Sequence, residues 1–371
     1  MSHLYFIDPT PGPAGFPHLR RAENGPCLAA MGDGHERGFA LAARLDGSVV
    51  IGHGPFVSSA RPPETGVAFY RNDFGLSDAE PWKIPVSWEV SDRAGAVSAL
   101  GGRKDFSCAW RELDAGPFAA VFMEVSEAIR RGVFEKTVPV VTETGRVHGA
   151  GGRALAAELA SLGGSLMPYA WIDGGKGFAG ATPEVLFSLD GLRLSTMALA
   201  GTARAAERAV FAVDEKEIRE HEIVALSLVS KLGDIGEVRR KERAILDLGE
   251  LVHFHTAIEV DLHEACDPGM LVRRLHPTPA LGPLPRVEET MRLLLQWRER
   301  LECPEGFGAP FGVIEDGRFL ALVAIRGIWW NGRELSLPAG CGVIEASRLV
   351  NEWRELRLKR SAVKAGLVAG R

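Results

Sequence analysis

Four of the chain's Asp-Gly and Asn-Gly dipeptides, each set between apolar runs, constrain it more than any other feature. Asp46-Gly47 separates FALAARL from SVVIGHG, and Asp190-Gly191 separates VLFSL from LRLSTMALA. Asp316-Gly317 and Asn331-Gly332 divide FGVIEDGRFLALVAIRGIWWNGRELSLPAG. Such dipeptides readily supply the positive φ that a tight hairpin demands, and between apolar runs they are the strongest short hairpin signal. They predict antiparallel sheet in both halves of the chain.

Helical periodicity lies between these blocks. Phe118, Val121, Phe122, Val125 and Ile129 mark one apolar stripe. A second runs from Asp214 to Leu232 through Ile218, Val224, Leu228 and Leu232, and Arg286–Leu301 and Ser347–Leu367 are two more candidates. Strands and helices alternate without a repeating βαβ period. That predicts an α+β architecture, large antiparallel sheets flanked by helices. Pro9–Pro26 and Ser91–Lys104 read as loops, either of which could be a subdomain boundary.

The chain's 371 residues suffice to bury a large core, and a net charge of −5 with no basic block argues against nucleic acid or an anionic membrane as partner. Arg239-Arg240-Lys241 is interrupted by Glu237 and Glu242 and reads as a solvated helix face. The cysteines (27, 108, 266, 303 and 341) are odd in number, scattered and without a CxxC, so neither a disulfide framework nor a zinc site is indicated. No apolar h-region opens the chain, and no stretch is long enough to span a membrane. A reducing cytoplasm is the simplest expectation, with the protein a monomer or weak homo-oligomer.

Two carboxylate pairs carry the first chemical signal. Glu217 and Glu220, and again Glu352 and Glu355, lie three apart in predicted helices, with Lys359 four beyond Glu355. Residues so spaced share a helix face, where like charges repel. A hard cation such as Mg²⁺ would give such pairs a purpose. The commoner meaning is a solvated face, salted here by Arg219, Arg354 and Arg357. Gly201-Thr202 after one strand and Gly340-Cys341-Gly342 at the end of another could let backbone N–H groups approach an anion, though a tight turn is the commoner reason for glycine. Lys136, entering the apolar run FEKTVPVV, is a candidate general base if desolvated; more often such a lysine snorkels. Glu184, before another apolar run, is a candidate general acid by the same logic. His253 and His255 share a strand face and His276 lies in LHPTPAL, but the oxygen-rich company argues against zinc.

These elements occur in an order that resembles the chorismate-binding enzyme family, which includes isochorismate synthases, salicylate synthases and the large subunits of anthranilate and aminodeoxychorismate synthases. The matching pieces are the lysine motif at Lys136, GATPEVL, LAGTARA, DEKEIREH, HFHT, LHPTPAL, VAIRG, PAGCGVI and NEWRELRLK. They span Lys136 to Lys359. The resemblance implies a fold like anthranilate synthase component I, with residues 106–371 as the catalytic region and 1–105 as a variable part of the same fold.

It also implies roles. Glu220 and Glu355 would hold Mg²⁺, with Glu217 and Glu352 as water-mediated or outer partners. Lys359 and backbone N–H groups near Gly340, Cys341 and Gly342 would contact carboxylates of chorismate, and Arg326 its enolpyruvyl carboxylate. His253, Gly201 and Thr202 would line the pocket beside the ring, and Ala280 and Leu281 would pack near the attacked carbon. Lys136 would activate water for attack at ring C2 while Glu184 protonates the departing C4 hydroxyl. EHEIVALSLVSKLG lacks the LARND stretch of amine-forming members, so water is the expected nucleophile and isochorismate the expected product, for menaquinone or siderophore biosynthesis. Salicylate, formed by further loss of pyruvate, is the alternative; a silent chorismate-binding protein is another. Three departures stand out: Val141 where the family's lysine motif ends in arginine, Pro139 within that motif, and Pro304–Ala309 in place of RGxYAG.

Overall fold

The computed structural model describes residues 38–368. Each of the four dipeptides turns a hairpin. Phe39–Ala43 pairs antiparallel with Val49–Ser59, Val185–Asp190 with Arg193–Arg204, Pro310–Glu315 with Arg318–Val323, and Gly327–Asn331 with Glu334–Gly340. At the third, Asp316 (φ 46°) and Gly317 (φ 81°) are both left-handed, as a type I′ turn requires.

The strands form two antiparallel arms. One runs from Val49–Ser59 through Phe39–Ala43, Met167–Asp173, Lys176–Thr182, Gly327–Asn331, Glu334–Gly340 and Val140–Gly149 to Phe106–Trp110. Trp82–Ser91 joins it to the other, which continues through Val67–Arg71, Pro310–Glu315, Arg318–Val323, Val185–Asp190 and Arg193–Arg204 to Leu251–Leu262. Period-two alternation sends side chains to two different cores. Ala40 and Ala42, with Leu320 and Leu322 of the other arm, enter a shared core containing Phe69, Phe178, Phe311 and Trp329. Phe39 and Leu41 join the helices Arg93–Ala99 and Gly152–Ala160, while Phe319 and Ala321 join Glu215–Leu232 and Pro268–Leu275. The order is therefore helix, sheet, sheet, helix, the α+β arrangement expected from the alternation of elements.

The four predicted helices are Gly116–Arg130, Glu215–Leu232, Glu288–Arg300 and Leu349–Gly366. All five residues of the first stripe are buried, each worth about 1.5–3 kcal/mol of transfer free energy. Helix Glu215–Leu232 starts where the Asp214 carboxylate accepts from the Glu217 N–H at 3.1 Å, a cap worth about 1 kcal/mol. Val224, Leu228 and Leu232 are buried as its stripe predicts, but so are Glu220 and His221 nearer its start. That polar patch on a core-facing side marks the site.

Two expectations are corrected. Ser91–Lys104 is not all loop: Asp92 accepts from the Gly95 N–H at 2.7 Å and caps the helix Arg93–Ala99. Seven residues are too few for periodicity to reveal a helix. Arg239 and Arg240 end the strand Gly236–Arg240 rather than sitting on a helix, because Leu251–Leu262 pairs with that segment. Arg239 is solvated and meets Asp261 across the pair at 2.7 Å. Pro9–Pro26 lies outside the described residues. Among those described, no helix is long and apolar enough to cross a membrane.

Candidate active site

The helices Glu215–Leu232 and Leu349–Gly366 turn their glutamate pairs toward one another. Glu220 is 6% exposed and Glu352 1%, so the solvated-face meaning of these pairs does not hold. The Lys216 ammonium bridges them, 2.9 Å from Glu217 Oε1, 3.0 Å from Glu220 Oε2 and 3.3 Å from Glu352 Oε1. Lys359 Nζ is 2.6 Å from Glu355 Oε1 and 2.8 Å from the Gly340 carbonyl. Burial opposes the Glu220 charge, but Lys216 and Lys136 outweigh it and hold that carboxyl down at about 2. Burial, then Glu355, pushes Glu352 up to about 8.

A β-bulge ties the sheet to this helix. The strand Arg193–Arg204 loses register between Ala200 and Ala203, with Gly201 at φ 75°. The next N–H, of Thr202, donates to Glu217 Oε2 at 3.0 Å. A Cβ on Gly201 would sit 3.1 Å from that oxygen and require left-handed backbone, so glycine is needed twice over.

His253 faces the bulge. Its Nδ1 lies 2.7 Å from the Gly201 carbonyl, and its Nε2 lies 2.9 Å from an Arg326 nitrogen. Arginine only donates, so Nε2 accepts and Nδ1 carries the proton. Burial and then Arg326 hold this imidazole well below its usual pKa, consistent with a neutral ring. Arg326 itself has φ 56°, and burial brings its pKa to about 10. Among the described residues no carboxylate forms an ion pair with it, leaving the N–H groups not given to His253 available to a ligand.

Twelve sequence-predicted residues line one cavity here: Glu184, Gly201, Thr202, Glu220, His253, Ala280, Leu281, Arg326, Gly340, Gly342, Glu355 and Lys359. Glu184 is 4% exposed, and burial raises its carboxyl to about 7. Glu217 and Glu352 line an adjoining cavity that shares Thr202 and Glu355 with the first. Lys136 lies directly behind the wall, fully buried, donating to the Pro279 carbonyl and 3.4 Å from Glu220 Oε1. Burial lowers its pKa. Gly342 leaves room for this contact, since a Cβ there would lie 1.9 Å from Glu220 Oε1 and 2.9 Å from Lys136 Cε.

Cys341 departs from expectation. Its N–H donates to the Pro139 carbonyl at 3.3 Å, and its side chain is buried in the cluster with Val141 and Val343, so it does not line the cavity. Its neighbours Gly340 and Gly342 do. His255 and His276 also lie off the wall; His276 Nε2 instead meets the Phe74 carbonyl at 2.9 Å. Several further lining residues, Phe307 among them, are not singled out by sequence, nor is Lys216 beside the cavity. Phe307 lines the cavity from within the divergent Pro304–Ala309 segment, where the departure itself was the only signal. Lys216 was legible, because its four-residue spacing from Glu220 predicts a shared helix face.

Among the described residues, no three His, Cys, Asp or Glu side chains converge into a ready-made metal site. The donor chemistry nevertheless suits a hard cation: every candidate is a carboxylate oxygen. Glu352 Oε2 is buried without a hydrogen-bond partner, and the Lys216 ammonium already stands among the carboxylates as a cation.

The family model described as chorismate binding enzyme matches residues 111–368. Isochorismate synthase MenF of Bacillus subtilis (strain 168) is 33% identical over 199 residues, covering 50% of this chain and 41% of that protein. The chain thus spans less than half of that curated relative. The solved MenF from Escherichia coli, described as a menaquinone-specific isochorismate synthase, superposes with a TM-score of 0.70 at 19% identity over 90% of this chain and 89% of that one. Anthranilate synthase component I from Streptococcus pneumoniae TIGR4 superposes at 0.63 with 14% identity, over 92% and 95% of the two chains. The fold is therefore that of anthranilate synthase component I, as the motif order implied. With the family model covering well over half its length, the chain belongs to the chorismate-binding enzyme family.

Proposed function

We propose that this protein is an isochorismate synthase, converting chorismate to isochorismate with the help of Mg²⁺. The observation that carries the reading is a pair of buried titratable groups, Lys136 and Glu184, pushed in opposite directions beside one cavity. Burial disfavours the ammonium of Lys136 and raises the carboxyl of Glu184 to about 7. An amine able to accept a proton and a carboxylic acid able to give one are what this isomerisation requires.

Lys136, deprotonated and turned from the Pro279 carbonyl toward the cavity, takes a proton from water as that water's oxygen forms a bond to ring C2. Both ring double bonds shift, C1=C2 to C1=C6 and C5=C6 to C4=C5, the C4–oxygen bond breaks, and Glu184 delivers a proton to the departing hydroxyl. One water enters and one leaves, so substrate and product are isomers. Arg326 is assigned the enolpyruvyl carboxylate, which a planar guanidinium can grip through two hydrogen bonds. Lys359, Gly340 and Gly342 are assigned the other polar contacts to substrate carboxylates. His253 and the Gly201-Thr202 bulge form the wall beside the ring, and Ala280 and Leu281 its apolar side. Glu220 and Glu355, with Glu217 and Glu352 outside them, would hold the Mg²⁺. When bound, the metal would neutralise the charge of the ring carboxylate. Residues 106–371 are assigned the catalytic region, and 1–105 the variable part of the same fold. The menaquinone-specific Escherichia coli relative supports menaquinone biosynthesis as the destination of the product, with siderophore biosynthesis the alternative.

Incubation with chorismate and Mg²⁺ should yield isochorismate by chromatography, and EDTA should stop it. Salicylate plus pyruvate would instead identify a salicylate synthase. Chorismate binding by calorimetry with no product would identify a silent binding protein, in which Phe307 and its divergent segment have cost the chain its turnover.

A further inference from the structure

Lys216 occupies the space where the two glutamate pairs meet, and it has no part in the reaction proposed above. Its ammonium touches three of the four carboxylates, from both helices, at 2.9, 3.0 and 3.3 Å. The fourth, Glu355, is held by Lys359 at 2.6 Å. Lys136 is 3.4 Å from Glu220 on the far side. Four carboxylates thus meet three lysines, and among the described residues no three His, Cys, Asp or Glu side chains converge closely enough to hold a metal.

We infer that Lys216 is a tethered counter-ion that holds the metal-free site together and must swing out before a divalent cation can bind. The inference rests on the Mg²⁺ assignment made under the proposed function. A divalent cation held by Glu220 and Glu355 needs the Glu220 carboxylate that this ammonium now contacts, and two cations cannot share it at such a distance without strong repulsion. The ammonium has somewhere to go. Lys216 also lines the adjoining cavity of about 290 Å³, whose wall carries Glu207 and Asp214 as alternative carboxylate partners. Lysine suits the task because its charge rides on a flexible four-carbon stem. Metal affinity in this protein is then set by competition as well as by donor number. The site never exposes four unpaired buried carboxylates to one another, whose repulsion would open the helix pair.

Titration calorimetry with MgCl₂ alone, without chorismate, tests the idea on the wild type, Lys216→Met and Lys216→Gln. Removing the competitor should lower the Mg²⁺ dissociation constant at least tenfold in either variant. In EDTA the variants should melt below the wild type, and Mg²⁺ should raise their melting temperatures more than it raises the wild type's. If Lys216→Met does not fold without metal, Lys216→Gln, which keeps a hydrogen-bond donor, carries the comparison. A dissociation constant unchanged or weakened in the variants overturns the inference and leaves the proposed reaction standing. Tighter Mg²⁺ binding in the variants with no isochorismate from the wild type supports the counter-ion and removes the reaction. Failure of wild type and variants alike to bind Mg²⁺ overturns both.

Discussion

At pH 8.5 the carboxyl of Glu184 must ionise inside a wall that excludes almost all water, and Glu184→Gln removes that demand while keeping the side chain's shape. The folded-state value of about 7 stands above the ordinary 4.5, a difference of roughly 2.5 units at 1.36 kcal/mol each. The sign follows from linkage. A carboxyl whose folded pKa is raised is neutral in both states below about 4.5, so it costs nothing there. The penalty grows between about 4.5 and 7 and stays constant above. It reaches about 3 kcal/mol at pH 8.5 and under about 1 kcal/mol at pH 5. Urea unfolding in EDTA, followed by tryptophan fluorescence, measures the stability of both proteins at both pH values. The glutamine amide contributes a pH-independent offset, so the readout is the change in the variant's relative stability between the two. That change should favour the variant at pH 8.5 by about 2–3 kcal/mol. A stability difference that is the same at both pH values would show that Glu184 carries no raised pKa in the folded protein. The same variant should lose turnover, and wild-type kcat should fall as pH rises above about 7, because the acid is then deprotonated.

Lys136→Met should lower kcat by about 10²–10⁴-fold while the chorismate dissociation constant, measured by calorimetry, changes little; full turnover would remove Lys136 as the base. Arg326→Lys, which keeps the charge but loses the two-pronged grip, should raise KM by about tenfold, or roughly 1.4 kcal/mol; an unchanged KM would place the enolpyruvyl carboxylate elsewhere. Gly342→Ala would set a Cβ 1.9 Å from Glu220 Oε1, so it should weaken Mg²⁺ binding in calorimetry and destabilise the fold by about 1–3 kcal/mol; wild-type behaviour in both would mean that Glu220 is free to move.

Much of this was legible because the signals were local. Asp316-Gly317 specifies its own turn, and Phe118 to Ile129 specify their own helix face, so hairpins and helices follow from spacing. The four glutamates were legible as pairs, but only the tertiary fold turns the pairs toward each other and buries Glu352. What escaped was set by contacts distant in sequence. Leu251–Leu262 makes a strand of Gly236–Arg240, and nothing within that segment announces its partner. Cys341 sits between two cavity-lining glycines, yet the Pro139 carbonyl takes its N–H. Lys136 was expected to act on water beside the ring and lies behind the cavity wall, held by Pro279 and against Gly342 from segments more than 140 residues away. Lys216 was passed over although its spacing was in plain view, since a lysine beside glutamates on a helix ordinarily means a surface pair.

If this chain adds water at C2 of chorismate and expels the C4 hydroxyl, the new oxygen comes from solvent. Turnover of unlabelled chorismate with Mg²⁺ in ¹⁸O-water, with the product analysed by mass spectrometry, tests it most directly. The isochorismate should carry one ¹⁸O atom, located at C2. Isochorismate without the label would mean that the original hydroxyl migrates, and no isochorismate from folded, metal-loaded protein would contradict the assignment altogether.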